Sequence, residues 1–293
     1  MNNLQSLPEL GIGLGFRRQL SDSIFAAHDQ IDWLEVISEN YLGIGGAARS
    51  SLERAIQRFQ LLPHGVNLSI GGVDPINYKY LKLLKKLVTD TKCPWVSDHL
   101  CFTSNQGRYT HQLLPLPRTK YTVKHVAERA RTVQDYLGVP LLLENITYYM
   151  TFGESKMTES QFLSEICEKA NCGILLDLNN IVVNARNFNL DEHDFISETN
   201  VDRVVQMHIA GHKKGKEWIL DTHGEPISNR VYNLLDYTLA RTRPKAILLE
   251  RDDNFPEFSA ILSELRVIRK HCKQFKTFTR ASLDDRKKLH AVS

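Results

Sequence analysis

Eight short apolar runs recur along this chain, and each is followed by a segment with helical periodicity. The runs are residues 11–16, 33–38, 61–70, 94–102, 140–146, 173–179, 204–210 and 246–251. Most are rich in Val, Ile and Leu without strict alternation, which is how strands covered on both faces look. The helix-like segments lie at 22–31, 49–60, 77–90, 119–137, 158–171, 191–200, 229–242 and 256–272. Three carry start signals: Thr119 opens its segment, Thr158 precedes Glu159 and an apolar period, and Pro256 stands in the expected first turn of the last. Strand–helix alternation implies a parallel sheet. Eight repeats within 293 residues favour closure into a single (β/α)8 TIM barrel over a doubly wound open sheet. No linker or low-complexity stretch interrupts the pattern. The expected division is a barrel domain over 1–272 and a short, partly mobile C-terminal tail over 273–293.

A second pattern lies on top of the first. His64 ends Leu61-Leu62-Pro63, Asp98-His99 end Pro94 to Ser97, and Glu144 ends Leu141-Leu142-Leu143. Asp177 ends Ile174-Leu175-Leu176, with Asn180 three residues on. His208 ends Val204 to Met207, Asp221 and His223 follow in the next loop, and Glu250 ends Ile247-Leu248-Leu249. A polar side chain at the end of a buried strand is costly unless something there uses it. In a barrel of this kind the strand ends converge on one face, where active sites lie. These ten residues are His, Asp, Glu and one Asn, with no Cys. That is a donor set for a borderline-hard cation such as Fe, Mn or Zn.

The positions differ in how sharply they speak. In Asp98-His99 one residue can ligate while its neighbour orients it. Glu144 carries two oxygens and can bridge two metals. Asp177 with Asn180 offers two oxygen donors, although Asn179-Asn180 also reads as a turn. In His208-x-x-x-His212, Gly211 breaks a helical pairing, so His208 is the better ligand and His212 a pocket or loop residue. Asp221 and His223 form a compact unit in a Gly-containing loop. Asp252 follows Glu250 as an orienting or substrate-facing acid, and Asn145 adjoins Glu144. Both are assigned to catalysis. Glu35, Glu39 and Asn40 are expected to line the pocket. Gly11, Gly13 and Gly15 lack phosphate-loop spacing and read as a strand permitting close approach at the barrel mouth.

Bulk properties remove several classes. Net charge is +3, with 37 basic against 34 acidic residues, so no nucleic-acid partner is implied by electrostatics. The five cysteines include no Cys-x-x-Cys pair, which argues against a disulfide framework or structural zinc and for a reducing, cytoplasmic location. Residues 1–10 lack signal-peptide character, and no apolar run approaches the ~20 residues of a membrane span.

Taken in order, His64-Gly65-Val66-Asn67-Leu68-Ser69, Ser97-Asp98-His99-Leu100, Leu142-Leu143-Glu144-Asn145, Leu176-Asp177-Leu178-Asn179-Asn180, His208-Ile209-Ala210-Gly211-His212, Asp221-Thr222-His223 and Leu249-Glu250-Arg251-Asp252 resemble the multinuclear non-heme iron-dependent oxidase family. The resemblance implies a TIM barrel holding two or three iron ions, with O2 as co-substrate. It implies modification of cysteine residues in a ribosomally made precursor peptide, with the thiolate on ferrous iron and hydrogen removed from the cysteine β-carbon. A separate partner protein that presents the peptide is also implied. Carried across, His64, His99 and Glu144 resemble the ligands of one iron; Asp177, His208, Asp221, His223 and Glu250 resemble the rest, with Asn180 as an amide donor. Two other classes compete: a divalent-metal sugar isomerase or endonuclease-like barrel, and a non-catalytic metal-binding protein. Against the former, the sequence offers neither a basic, aromatic-rich nucleic-acid surface nor a clear lysine–acid pair.

Overall fold

In the computed structural model, which describes residues 4–43 and 45–278, the eight runs form one closed parallel barrel. In chain order its strands are β1 (Gly11–Gly15), β2 (Trp33–Ile37), β3 (Gln60–Gly65) and β4 (Val96–His99). After a hairpin of β5 (Phe102–Asn105) and β6 (Arg108–Leu114) come β7 (Leu141–Glu144), β8 (Gly173–Asp177) and β9 (Val204–Ile209). A second hairpin, β10 (Lys213–Lys214) with β11 (Ile219–Leu220), precedes β12 (Ala246–Leu249). β12 pairs with β1, Leu14 against Leu249, and closes the ring. The helices are α1 (Ser21–Ala26), α2 (Gly46–Ile56), α3 (Tyr78–Thr91), α4 (Lys120–Leu137), α5 (Glu159–Ala170), α6 (Leu178–Phe188), α7 (Glu192–Glu198), α8 (Asn229–Leu239) and α9 (Phe258–Gln274).

The period-2 alternation of each strand decides what enters the barrel. Leu62 and His64, Ser97 and His99, Leu142 and Glu144, Leu175 and Asp177, Gln206 and His208, and Leu248 and Glu250 each share a face. His64, Glu144, Asp177, His208 and Glu250 meet one another, so those faces are interior. The upstream member of most pairs is apolar and the downstream member is a ligand type. The lower interior is filled by Trp33 and Trp95, both fully buried. Trp33 also explains Gly13: a Cβ there would lie 2.4 Å from the Trp33 ring. The close approach allowed by the glycine-rich first strand is thus to an indole inside the barrel, not at its mouth. Large buried apolar side chains of this kind contribute about 1.5–3 kcal/mol each.

The caps follow the sequence signals in part. Thr119 accepts from the Thr122 N–H, and Thr158 forms a full capping box with Gln161. Pro256 instead precedes α9, whose N-cap is Glu257. Three departures matter for the site. The run 173–179 is a strand only to Asp177, because Asp177 caps a helix, α6, that begins at the next residue. The long runs 61–70 and 94–102 end as strands at Gly65 and His99, and the residues beyond form loops and the β5–β6 hairpin at the mouth. At the C-terminus, α9 runs to Gln274, and Phe275 and Phe278 pack against the core. The first residues of the expected tail therefore belong to the barrel body; the remainder, 279–293, lies outside the described residues.

Candidate metal centre

Six strands deliver one buried donor each to the top of the barrel. Glu144, from β7, stands at the centre. Its Oε2 lies 3.4 Å from His64 Nε2 and 3.5 Å from His99 Nε2, and its Oε1 lies 3.4 Å from His208 Nδ1. His208 Nδ1 is also 3.2 Å from Glu250 Oε2 and 4.0 Å from Asp177 Oδ2. His223, from the loop after β11, extends the cluster with Nδ1 3.4 Å from Glu250 Oε2. Beside a Glu35–His64–His208 group, three donor groups share the strand-end carboxylates: His64–His99–Glu144, Glu144–Asp177–His208 and Asp177–His223–Glu250. They overlap, with Glu144 common to the first two and Asp177 common to the last two.

The far side of each ligand is held by the protein. His64 Nδ1 lies 2.9 Å from Ser97 Oγ, and His99 Nδ1 lies 3.0 Å from the Gly65 carbonyl. His208 Nε2 lies 3.0 Å from Glu35 Oε2. Asp177 Oδ1 accepts from the Asn180 N–H at 2.7 Å, closing the first turn of α6. Arg17 pairs with Asp252 and lies 3.5 Å from Glu250 Oε1, placing one cation beside two carboxylates. Orienting contacts of this sort fix ring tautomers and ligand basicity.

The near side is different. Glu144 Oε2, Asp177 Oδ2, His208 Nδ1 and His223 Nε2 are buried, and each lacks an aligned hydrogen-bond partner. His208 Nδ1 sits among three carboxylates yet is aligned with none; His223 Nε2 lies 2.7 Å from Asp221 Oδ1 without hydrogen-bond geometry. Buried polar atoms left this way cost roughly 1–3 kcal/mol each. Asp177 Oδ2 lies 4.0 Å from His208 Nδ1, Glu144 and His223 line the cavity above, and cations held by the overlapping donor groups would satisfy these atoms.

Electrostatics point the same way. Burial would raise the Glu144 pKa, but the His99, His208 and His64 imidazoles outweigh it and hold it at about 2. Burial, then the charge of Glu144, pushes Asp177 well above the carboxylate range. Burial disfavours charged His208 and His223, yet the facing carboxylates, led by Glu35 for His208 and Glu250 for His223, push both well up. Without a cation the cluster stores protons to balance its carboxylates. A divalent ion would displace them, the usual competition between metal and proton at such sites. The donor chemistry, the unpartnered atoms and the charge balance all fit a multinuclear His/carboxylate metal site.

Each expected residue can now be placed. His64, His99, Glu144, Asp177, His208, His223 and Glu250 converge. Asp221 touches His223 and accepts from Asn179 Nδ2 at 2.7 Å, outside the three donor groups. Asn180 lines the cavity; its Oδ1 accepts from Thr147 at 2.6 Å and its Nδ2 donates to the Asn145 carbonyl at 3.0 Å. Asn145 bonds the Asp177 backbone. Its amide donates to the Asp177 carbonyl and accepts the Asp177 N–H, both at 2.9 Å, clamping β7 to β8. Its role is to position Asp177. Asp252 does face the cavity, 3.2 Å from His223 Nδ1. Asp98 turns away, accepting the His99 and Leu68 N–H groups, and His212 bonds Asn179. Glu39 accepts from the Val66 and Asn67 N–H groups and from Tyr80, pinning the loop after β3.

Sequence reading missed Arg17 and Gln206 and undervalued Glu35. Only the polar interruption of an apolar strand marked Gln206 and Glu35, and nothing local marked Arg17. Above the cluster opens a cavity of about 480 Å3, lined by ligands and by Asn67, Thr103, His111, Gln112, Thr147 and Thr222. His111, which the sequence left unplaced, is in β6 with a left-handed φ of 55°.

Comparison with known proteins agrees on fold and family. A 3-keto-D-glucoside 4-epimerase, YcjR, from E. coli superposes with a TM-score of 0.54 at 15% identity, covering 88% of this chain and 98% of that one. A D-allulose 3-epimerase from Methylomonas sp. gives 0.57 at 12% identity, covering 84% and 85%. At such identities the likeness shows the barrel alone. Sequence relatives are nearer. A UPF0276 protein of Anaeromyxobacter sp. is 40% identical over 257 residues, 88% of this chain and 91% of its own length. A UPF0276 protein of Haemophilus influenzae is 38% identical over 288 residues, 88% and 93%. The family model described as RiPP precursor modification enzyme MbnB/TglH/ChrH matches residues 11–273, from the first barrel strand to the end of α9, and the chain belongs to that family.

Proposed function

We propose that this chain is an O2-dependent, multinuclear iron oxidase that modifies cysteine residues of a ribosomally synthesised precursor peptide. The observation that carries the reading is the set of three overlapping donor groups sharing Glu144 and Asp177, in a member of a peptide-modifying family. Iron, when bound there, would supply a site for the substrate thiolate and the redox chemistry of O2. His64, His99, Glu144, Asp177, His208, His223 and Glu250 would hold it, and their mixed imidazole and carboxylate character suits Fe(II).

The remaining residues set the conditions. Ser97, the Gly65 carbonyl and Glu35 keep the imidazoles in fixed orientation, so little reorganisation is needed on loading. Arg17 offsets part of the charge of Glu250 and Asp252. The cavity, about 480 Å3, admits a side chain and a short stretch of backbone, but no folded domain. We assign to Asp252, which contacts His223 at the cavity rim, the exchange of a proton with bound substrate. A separate protein that presents the peptide completes the proposal.

The test is co-expression with the neighbouring Cys-containing peptide and candidate presenting protein, followed by mass spectrometry and metal analysis. We expect about two to three irons per chain after anaerobic purification, and loss or gain of a few hydrogens, or of a carbon unit, at a cysteine. Stoichiometric zinc with no gain on adding ferrous iron, or an unmodified peptide with iron and partner both present, would overturn the reading. Iron without O2 consumption would indicate a metal-binding protein.

A further inference from the structure

Below the metal cluster lies a buried polar chain that none of the ligand positions requires. Trp95 Nε1 stands 2.9 Å from Gln206 Oε1. Gln206 Nε2 stands 2.6 Å from Glu35 Oε2, and the same Oε2 is 3.0 Å from His208 Nε2. All four side chains are 2% exposed or less. They come from β2, β9 and the residue before β4, so the chain exists only once the barrel has closed.

The order of donors follows from chemistry. An indole nitrogen can only donate, so the Gln206 atom facing Trp95 is the oxygen and the amide nitrogen faces Glu35. A carboxylate oxygen 3.0 Å from a ring nitrogen is stable only if that nitrogen carries a proton, because two lone pairs would repel. Gln206 Nε2 also lies 3.0 Å from His208 Nε2; both are donors converging on one oxygen. The opposite ring atom, Nδ1, is buried, unpartnered and surrounded by Glu144, Asp177 and Glu250.

We infer that Glu35 is a positioning residue: held by Trp95 through Gln206, it fixes the proton of His208 on Nε2 and commits Nδ1 to the metal. Glu35, His64 and His208 are close enough to form a donor group of their own, but Glu35 Oε2, the oxygen that faces His208, already takes the Gln206 and His208 hydrogens. Glu35 acts through His208 and ligates nothing. The inference rests on the metal reading of the cluster, not on the oxidase reading, and its test uses neither peptide nor O2.

The probe is Zn2+ alone, with nitrogen-resolved NMR of the histidine rings and competitive titration against a chromophoric chelator. In the zinc-loaded wild type, His208 Nε2 should carry a proton and Nδ1 the shift of a metal-bound nitrogen. Glu35→Leu should lower affinity at the Glu144–Asp177–His208 position by about 10- to 100-fold, the range for lost outer partners of a ligating histidine. Glu35→Gln, which keeps an acceptor without the charge, should recover most of that loss. An unprotonated or zinc-bound Nε2 in the wild type would overturn the inference. So would wild-type affinity in Glu35→Leu, or loss of one whole zinc equivalent with the remaining sites unchanged, which would make Glu35 a ligand. If Glu35→Leu does not fold, the wild-type spectrum and Glu35→Gln still decide the matter.

Discussion

Two of the barrel's cavities are nearly equal in size, and they could hardly differ more in character. The one at the mouth measures about 480 Å3; the other, about 460 Å3, lies on the flank between α5, α6 and α7. The flank cavity is also rich in charge, but most of that charge has an occupation. Glu192 is held by Arg230 at 2.5 and 2.6 Å, Glu198 accepts from Thr158 and Ser160, and Asp191 caps α7. At the mouth, four buried atoms from four different segments lack an aligned hydrogen-bond partner. Volume does not separate a site from a fold in the surface. Convergence does: Arg118 Nε on the flank is also buried without a partner, but it stands alone among the described residues lining that cavity, whereas the mouth gathers four such atoms around overlapping donor groups, where each costs free energy unless something there uses it.

The sharpest way to break this contrast is Glu144→Ala. It removes the carboxylate common to two donor groups, and should strip metal from both and lower turnover by more than about 100-fold, beyond what loss of an outer partner does. His99→Ala, which touches one group only, should lose less metal. Circular dichroism should show both folded, since the apolar interior below is untouched. Full metal and full turnover in Glu144→Ala would sink the site.

The next effect belongs to the flank and concerns stability. Burial raises Glu159 from 4.5 to about 7, against the pull of Arg118. A carboxyl with a raised folded pKa contributes its full stability below its unfolded pKa and loses it as pH climbs through the folded value. Folding stability should therefore fall between about pH 4.5 and 7, by up to about 3 kcal/mol at 1.36 kcal/mol per unit. Glu159→Gln, neutral throughout, should be more stable than wild type at pH 8 by as much, and no more stable at pH 4. Denaturant titrations at both pH values check this, and zinc binding should be unaltered. A gain at pH 4 equal to that at pH 8 would rule out titration of Glu159 as the cause. The smallest effect is expected of Lys156→Ala, also on the flank: unchanged metal content and turnover. A large loss of either would make the flank part of the active site.

Much of this was legible in the chain because of one rule. On a buried strand, period 2 puts Leu142 and Glu144 on the same face, so a carboxylate after Leu-Leu-Leu must point into the barrel. The same reasoning found His64, His208 and Glu250. It failed where two local structures share one string. Asp177-Leu178-Asn179-Asn180 reads as a strand end and turn, but it is a strand end and helix cap, and that difference spends the Asn180 side chain on Thr147 and Asn145. It failed again at Arg17 and Glu35, whose partners lie 235 and 173 residues away. Register across a closed barrel, not local pattern, makes those pairs. The hairpins at the mouth escaped notice because strands of two to seven residues, mostly exposed or half-exposed, are too short to show a sustained apolar run.

Asp177 uses its two oxygens for different tasks, one on the first turn of α6 and one among the buried donors, 4.0 Å from His208 Nδ1. The helix and the donor cluster therefore share a carboxylate and cannot vary independently. A ligand drawn toward the cavity tugs on the Asn180 amide, and a frayed helix end slackens the ligand. If a metal loads there, the exchange rate of that single amide should change with it, a readout in the whole protein without substrate, chromophore or label. It also means that the first turn of α6, far from being mere scaffolding, is tuned by whatever sits at the top of the barrel.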